Sequence, residues 1–288
     1  MISGSKDKTS LKNNRFLLPY GNLKFDVPLV MGILNITPDS FYDGGTYSNE
    51  KQQLKKVEEL LSEGADIIDI GAVSTRPGAA IISDNEEINR LKPVIQNINR
   101  HFENICISID TYRSTAAKMA IEYGAQMIND ISGGIFDPKM IDIIAEAKVA
   151  YVIMHIQGNP GNMQNSPVYQ NVTKEVKEFL AERARYFEAH GVQSLILDPG
   201  FGFGKTIEHN YHMLNNLREF KEPGYPLMVG LSRKSMINKV LNITPKDALN
   251  GTTVLNTIAL MNGADILRVH DVKEAVECIR LVNELKKH

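Results

Sequence analysis

Cysteine, net charge and long apolar runs are all scarce in this sequence. Its two cysteines, Cys106 and Cys278, lie in an apolar stretch and an amphipathic one, so buried reduced thiols are expected rather than a disulfide framework or a cysteine-ligated zinc centre. The formal charge is only −2, with Lys and Arg scattered along the chain. That excludes the concentrated basic face needed to grip a phosphate backbone, so no nucleic-acid partner is expected and any anion must be met by local groups. No apolar run is long enough to span a bilayer, and Met1 to Asn14 lack the apolar core of a signal peptide. Residues 1–14 read as a flexible polar tail ahead of one domain, 15–288, in the cytoplasm with no membrane partner. Internal repeats, a domain linker and a zinc-binding HExxH pattern are absent as well.

What is present is alternation. With 288 residues, 43% of them hydrophobic and 23% charged, the chain can bury a full core. Short apolar, often β-branched runs recur at Val27 to Ile33, Asp66 to Ile70, Ile105 to Ile109, Gln126 to Ile128, Ala150 to Met154, Ser194 to Leu197, Pro226 to Val229 and Asp265 to Leu267. Helical periodicity fills the gaps; Val272, Ala275, Val276, Ile279, Val282 and Leu285 form one apolar stripe. Ser83 with Glu86 and Asp271 with Glu274 have capping-box spacing. Eight strands alternating with helices predict a (β/α)8 TIM barrel. Arg15 to Asp26 reads as a hairpin that plugs the barrel bottom, and Pro245 to Met261 as an extra helix before strand 8. A doubly wound sheet would share the alternation, but polar residues follow nearly every strand: Asn35, Asp110, Asn129, His155, Asp198, Lys234 and Arg268. In a closed parallel barrel these ends meet on one face, so the ring reads as a binding pocket.

The loops add chemistry. Asn35 to Gly45 and Gly71 to Ala79 are glycine-bearing segments at adjacent strand ends and read as active-site lids. Asp198-Pro199-Gly200-Phe201-Gly202-Phe203-Gly204-Lys205 alternates glycine with other residues but fits neither the Walker nor the dinucleotide pattern. Its glycines could let backbone pass beneath a flat ring, with Phe201 or Phe203 as an apolar wall. In Ser232-Arg233-Lys234-Ser235, Ser232 could cap a helix, which would put Lys234 in a first turn where a cation opposes the helix dipole. Taken singly, Asp198 suits a turn, Asp110 a helix cap, Asn129 a core amide and Arg268 a surface cation. Met154 and His155 end strand 5 at the pocket floor, and His155 reads equally as a packed core histidine.

In order along the chain, Gly32-Ile33-Leu34-Asn35-Ile36-Thr37-Pro38-Asp39-Ser40-Phe41, Ser74-Thr75-Arg76-Pro77-Gly78, Ile109-Asp110-Thr111, Ile128-Asn129-Asp130, Asp198-Pro199-Gly200-Phe201-Gly202-Phe203, Ser232-Arg233-Lys234 and Arg268-Val269-His270 together resemble the dihydropteroate synthases. The resemblance runs from about Val27 to the C-terminus. One departure is Val73, where the family usually carries Glu. The resemblance implies a transferase of folate biosynthesis that condenses a pterin methyl diphosphate with 4-aminobenzoate, releasing diphosphate. Asp110, Asn129, Met154, Asp198 and Lys234 would hold the pterin. Thr75, Arg76, Pro77, Phe203 and Ser235 would hold 4-aminobenzoate. Arg268 and His270 would meet the diphosphate, Asn35 would bind Mg²⁺, and Asp43 would join Asp110 and Asp198 in stabilising a cationic pterin methylene. A homodimer through barrel helices is implied too. The rival readings are a pterin-dependent methyltransferase, which has no use for a diphosphate cluster, and a silent pterin or partner binder.

Overall fold

The computed structural model describes residues 15–19, 21–36, 45–73, 82–163 and 167–288; the tail expected at 1–14 lies outside them. β1 (Arg15–Leu18) and β2 (Gly21–Lys24) form an antiparallel hairpin. Eight parallel strands follow: β3 (Leu29–Asn35), β4 (Ile67–Gly71), β5 (Cys106–Asp110), β6 (Met127–Asp130), β7 (Ala150–Met154), β8 (Leu195–Asp198), β9 (Met228–Val229) and β10 (Ile266–Val269). Neighbours pair in order from β3 to β8, and β10 lies between β3 and β9. A parallel bridge between Leu197 and Leu227 joins β8 to the β9 side and closes the barrel. Among the described residues the helices are α1 (Gly45–Ser62), α2 (Asp84–His101), α3 (Ser114–Glu122), α4 (Met140–Ala147), α5 (Val172–Ala189), α6 (Ile207–Asn215), α7 (Ser235–Leu241), α8 (Leu249–Met261) and α9 (Val272–Leu285). This is the expected (β/α)8 barrel, with α8 as the one extra helix before the last strand among the described residues.

Strand alternation sorts the buried side chains into two cores. Val30, Ile68, Ile107, Ile128, Tyr151, Leu195 and Leu267 pack outward against the helices. Met31, Ile67, Cys106, Met127, Val152, Ile196, Met228 and Ile266 fill the barrel's lower interior, where Leu18 and Leu23 of the hairpin join them. Each of those two leucines, almost fully buried, contributes on the order of 1.5–3 kcal/mol to holding the plug in place. Two residues further along the same inward face the chemistry changes. Asp69 follows Ile67, Ser108 and Asp110 follow Cys106, Asn129 follows Met127, Asp198 follows Ile196 and Arg268 follows Ile266. The barrel is therefore apolar at its floor and polar at its mouth.

Three local expectations change. The first barrel strand starts at Leu29 rather than Val27, because Pro28 has no N–H and the ladder opens with Leu29 N donating to Asp265 O at 2.8 Å. The run expected as one helix from Pro245 is a 3₁₀ turn, Pro245–Asp247, separated from α8 by Ala248. Ser83 does cap α2, accepting from Glu86 N at 3.2 Å, but Asp271 at the start of α9 makes no side-chain cap. Its carboxylate receives Arg233 Nε at 3.0 Å and Nη2 at 2.5 Å, a forked charged pair that outcompetes a backbone amide. Both cysteines are free and buried, and burial pushes the Cys106 thiol up to about 12.

Candidate active site

The mouth is organised around Arg268, on β10. Its Nε donates to Asp69 Oδ2 at 2.6 Å and its Nη2 to Asp110 Oδ2 at 2.7 Å. Asn129 Nδ2 also donates to Asp69 Oδ2, at 3.1 Å. One network thus links β4, β5, β6 and β10. Asp69 is fully buried, and its Oδ1 has no hydrogen-bond partner among the described residues. Burial raises the Asp110 carboxyl above its usual range against the pull of Arg268, with Asp69 adding to the rise. The two carboxylates in turn hold the Arg268 guanidinium above its ordinary value despite burial.

Asp198 ends β8 and is nearly buried; its Oδ1 accepts from Gly200 N at 2.7 Å. Burial raises its carboxyl too, opposed chiefly by the Lys234 ammonium. Lys234 is the N-cap residue of α7, not a first-turn residue, and α7 has no side-chain cap. Ser232, expected as that cap, instead lies 3.0 Å through Oγ from His270 Nδ1 and accepts from His270 N at 3.3 Å. Arg233 takes a left-handed backbone with φ 58°. That strained turn is held because its N–H donates to Thr252 Oγ1 at 3.1 Å and its carbonyl accepts from Asn238 Nδ2 at 3.1 Å. The result turns Lys234 toward the barrel: Nζ donates to Phe201 O and sits 5.0 Å over the Phe203 ring. Burial lowers the Lys234 ammonium to about 8, with Asp198 resisting.

Two glycines mark how closely these groups approach. A Cβ on Gly230 would stand 3.7 Å from Lys234 Nζ and 3.9 Å from Arg268 Cβ, so the Lys234 ammonium and the base of the Arg268 side chain flank a bare backbone. A Cβ on Gly71 would stand 3.5 Å from Asn35 Oδ1 and 3.8 Å from Asp110 Oδ2. Asn35 is exposed at the end of β3, while Met154 at the end of β7 is buried beside Gly200. His155 is buried, with Nδ1 3.0 Å from Lys205 Nζ and its ring edge-on to Phe179 at 4.9 Å. Burial and the Lys205 charge push it down to about 2, so it is a neutral packed histidine. Ser235 opens α7 on the exposed side and Phe203 is half-buried. Asp43, Thr75, Arg76 and Pro77 lie outside the described residues.

Asp110, Asn129, Asp198, Lys234 and Arg268 therefore share one bowl, with Asn35 and His270 at its edge. Sequence reasoning missed Asp69, the residue that ties Arg268 to Asn129. The signal was a carboxylate in phase with Ile67 inside an otherwise apolar strand, which only a partner could make tolerable. It also missed the Phe201 carbonyl, which no side-chain pattern reveals.

The pterin binding enzyme family matches residues 31–270. The dihydropteroate synthase of Escherichia coli K12 is 45% identical over 91% of this chain and 93% of its own length. That of Synechocystis is 42% identical over 93% and 94%. Among solved structures, the Yersinia pestis dihydropteroate synthase with a sulfonamide drug complex superposes with a TM-score of 0.89 at 40% identity, covering 95% of this chain and 100% of that one. The Xanthomonas albilineans dihydropteroate synthase with 4-aminobenzoic acid gives 0.89 at 36% identity, covering 96% and 100%.

Proposed function

Because the chain belongs to the dihydropteroate synthases, we propose a division of labour within the bowl for the reaction of that family. The chain is a transferase that condenses (7,8-dihydropterin-6-yl)methyl diphosphate with 4-aminobenzoate to give 7,8-dihydropteroate and diphosphate. Asp110, Asn129 and Asp198 face the pterin edge, where carboxylate and amide oxygens match its amino and ring N–H donors and the Asn129 amide can also donate. Lys234 donates to a ring acceptor, and Met154 forms the floor. The single observation that carries this assignment is the gathering of Arg268, Asp69, Asp110 and Asn129 into one network beside Lys234 and Asp198.

Carboxylates near the reacting carbon favour a dissociative path. Asp110 and Asp198, with Asp69 behind Arg268, suit a methylene that becomes cationic as its carbon–oxygen bond breaks. Asp43 would add a further carboxylate from the first lid. Arg268 stands where ring and leaving group meet, its plane held by two ion pairs. His270, oriented through Ser232, donates to the departing diphosphate. The aromatic amine of 4-aminobenzoate then attacks and loses its proton afterwards. Thr75, Arg76, Pro77, Phe203 and Ser235 bound that second substrate, and exclusion of water by the lids protects the cation from hydrolysis.

Among the described residues no group of three or more His, Cys, Asp or Glu side chains could hold a metal. Mg²⁺ nevertheless fits the bowl's edge, since it binds through one or two protein oxygens with phosphate oxygens completing its shell. The Asn35 amide oxygen beside Gly71 offers that hard donor, and the missing Cβ leaves room for it. When bound there, the ion supplies Lewis-acid neutralisation of the diphosphate.

A homodimer is part of the same reading. Val240 and Leu241 on α7, Val254, Ile258 and Met261 on α8, and Leu281 and Leu285 on α9 are exposed apolar side chains, more than a solitary barrel needs on neighbouring helices. Cytoplasmic residence rests on the two free thiols; no helix among the described residues is long and apolar enough to cross a membrane. The deciding assay is 4-aminobenzoate-dependent release of diphosphate by purified protein. A methyltransferase or a silent pterin binder would release none.

A further inference from the structure

Lys205 is the most anomalous group that this mechanism leaves unused. Its residue is 3% exposed, and burial lowers its ammonium well below the ordinary lysine value with Asp198 opposing, so the charged form is tolerated there only through dense compensation. Nζ lies 3.0 Å from His155 Nδ1, 3.3 Å from His155 O, 3.0 Å from Gly200 O and 3.0 Å from Phe203 O. Three of these four acceptors are backbone carbonyls, so the ammonium stands where a small cation would stand in a carbonyl-lined turn. The loop is wrapped tightly about it. Cβ atoms on Gly200 (φ +70°) and Gly204 (φ +59°) would come within 2.0 Å of His155 O and 2.5 Å of Gln157 O, so its backbone rests directly on the residues following β7.

The other face of the same loop serves the bowl. Gly200 N donates to Asp198, Phe201 O receives Lys234, and the Phe203 ring lies beneath the Lys234 ammonium. Gly200 O also accepts from Phe203 N at 3.1 Å; without the Lys205 donor that single backbone bond would be left to hold the turn, the Phe203 carbonyl would lose its Lys205 partner, and the turn would loosen. We propose that Lys205 is a positioning residue of the synthase reaction: its buried ammonium draws the Gly200 and Phe203 carbonyls onto His155 and so fixes Phe203 as a wall of the second-substrate site. This rests on the role assigned to Phe203 above.

The test compares Lys205→Met with the unaltered enzyme. The substitution keeps side-chain length and removes the charge. KM for 4-aminobenzoate should rise about tenfold or more and kcat should fall, because small misplacements of positioning groups are costly. Affinity for the pterin diphosphate alone, read by calorimetry, should change by a clearly smaller factor than the 4-aminobenzoate KM, since Asp110 and Asn129 sit on β5 and β6 and are held by strands rather than by this loop. A merely structural lysine would lower the melting temperature and change both substrates' constants equally; that result overturns the proposal. If Lys205→Met does not fold, Tyr169→Phe provides the second variant, because it deletes the hydroxyl that donates to Gly204 O at 2.8 Å on the same loop. It should raise the 4-aminobenzoate KM about threefold without altering pterin affinity, and an unchanged KM refutes the loop's role. Imidazole nitrogen NMR of the unaltered protein gives a further measurement. It should show His155 neutral with its proton on Nε2; a proton on Nδ1 would exclude the ammonium bond. If the unaltered enzyme forms no dihydropteroate, the family activity fails, while the His155 spectrum still decides whether the ammonium cage exists.

Discussion

Replacing Asp69 with Asn isolates the bond that organises the bowl. The side chain keeps its shape, loses its charge and leaves Arg268 Nε, now 2.6 Å from Asp69 Oδ2, without an anionic partner. Breaking a fully buried ion pair by removing one member costs roughly 3–5 kcal/mol. Here the loss is smaller, because Arg268 retains Asp110 at 2.7 Å and its side chain is 21% exposed. About 2 kcal/mol of stability should disappear, which for a domain of this size lowers the melting temperature by roughly 3–4 °C. Two further consequences separate this from generic destabilisation. Asp69 helps push the Asp110 carboxyl upward, so its replacement should lower the Asp110 pKa. The Arg268 plane also loses its second anchor, so kcat should fall at temperatures where the variant is fully folded. Calorimetric unfolding and steady-state kinetics at 25 °C measure these effects. If the melting temperature and kcat both remain at the unaltered enzyme's values, Asp69 is not the organiser inferred from the geometry.

Lys234→Ala removes a half-buried charged donor and should weaken pterin diphosphate binding by roughly 1.5–3 kcal/mol; calorimetric titration that shows unchanged affinity would remove Lys234 from the ring site. With its ammonium lowered to about 8, Lys234 loses its proton as pH rises through that value, so kcat/KM for the pterin diphosphate should decline on the alkaline side of 8, and a profile flat to pH 10 contradicts the assignment. Arg268→Ala should slow diphosphate release more than it weakens binding of the bare pterin; equal losses in the two measurements would argue against a leaving-group role. His155 sits at about 2 in the fold against 6.5 ordinarily. The unfolded chain therefore takes up a proton first as pH falls below 6.5, and His155 should remove about 1.4 kcal/mol of stability per pH unit from there downward; denaturant unfolding of His155→Gln should lack that slope.

The barrel was legible in one dimension because its signals are local. Apolar runs of strand length, helical periodicity between them and the Ser83 cap each depend on neighbours a few residues away. Polar residues at strand ends followed from the same reading, since closure of a parallel sheet leaves them nowhere else to meet. Pro28 displaced the first strand's start through its missing N–H, and Asp271 surrendered its cap to Arg233 because a forked ion pair is the stronger bond. What only the folded molecule decides is the partner of each charge. Asp69 and Arg268 are 199 positions apart, Arg268 and Asp110 158, and Lys205 and His155 50. Composition and periodicity carry no record of such distances. Chain order by itself determined that strands and helices alternate and that acids, amides and cations end the strands. Tertiary closure decided which carboxylate neutralises which cation, because that choice depends on through-space separation and on how much water each pair has lost.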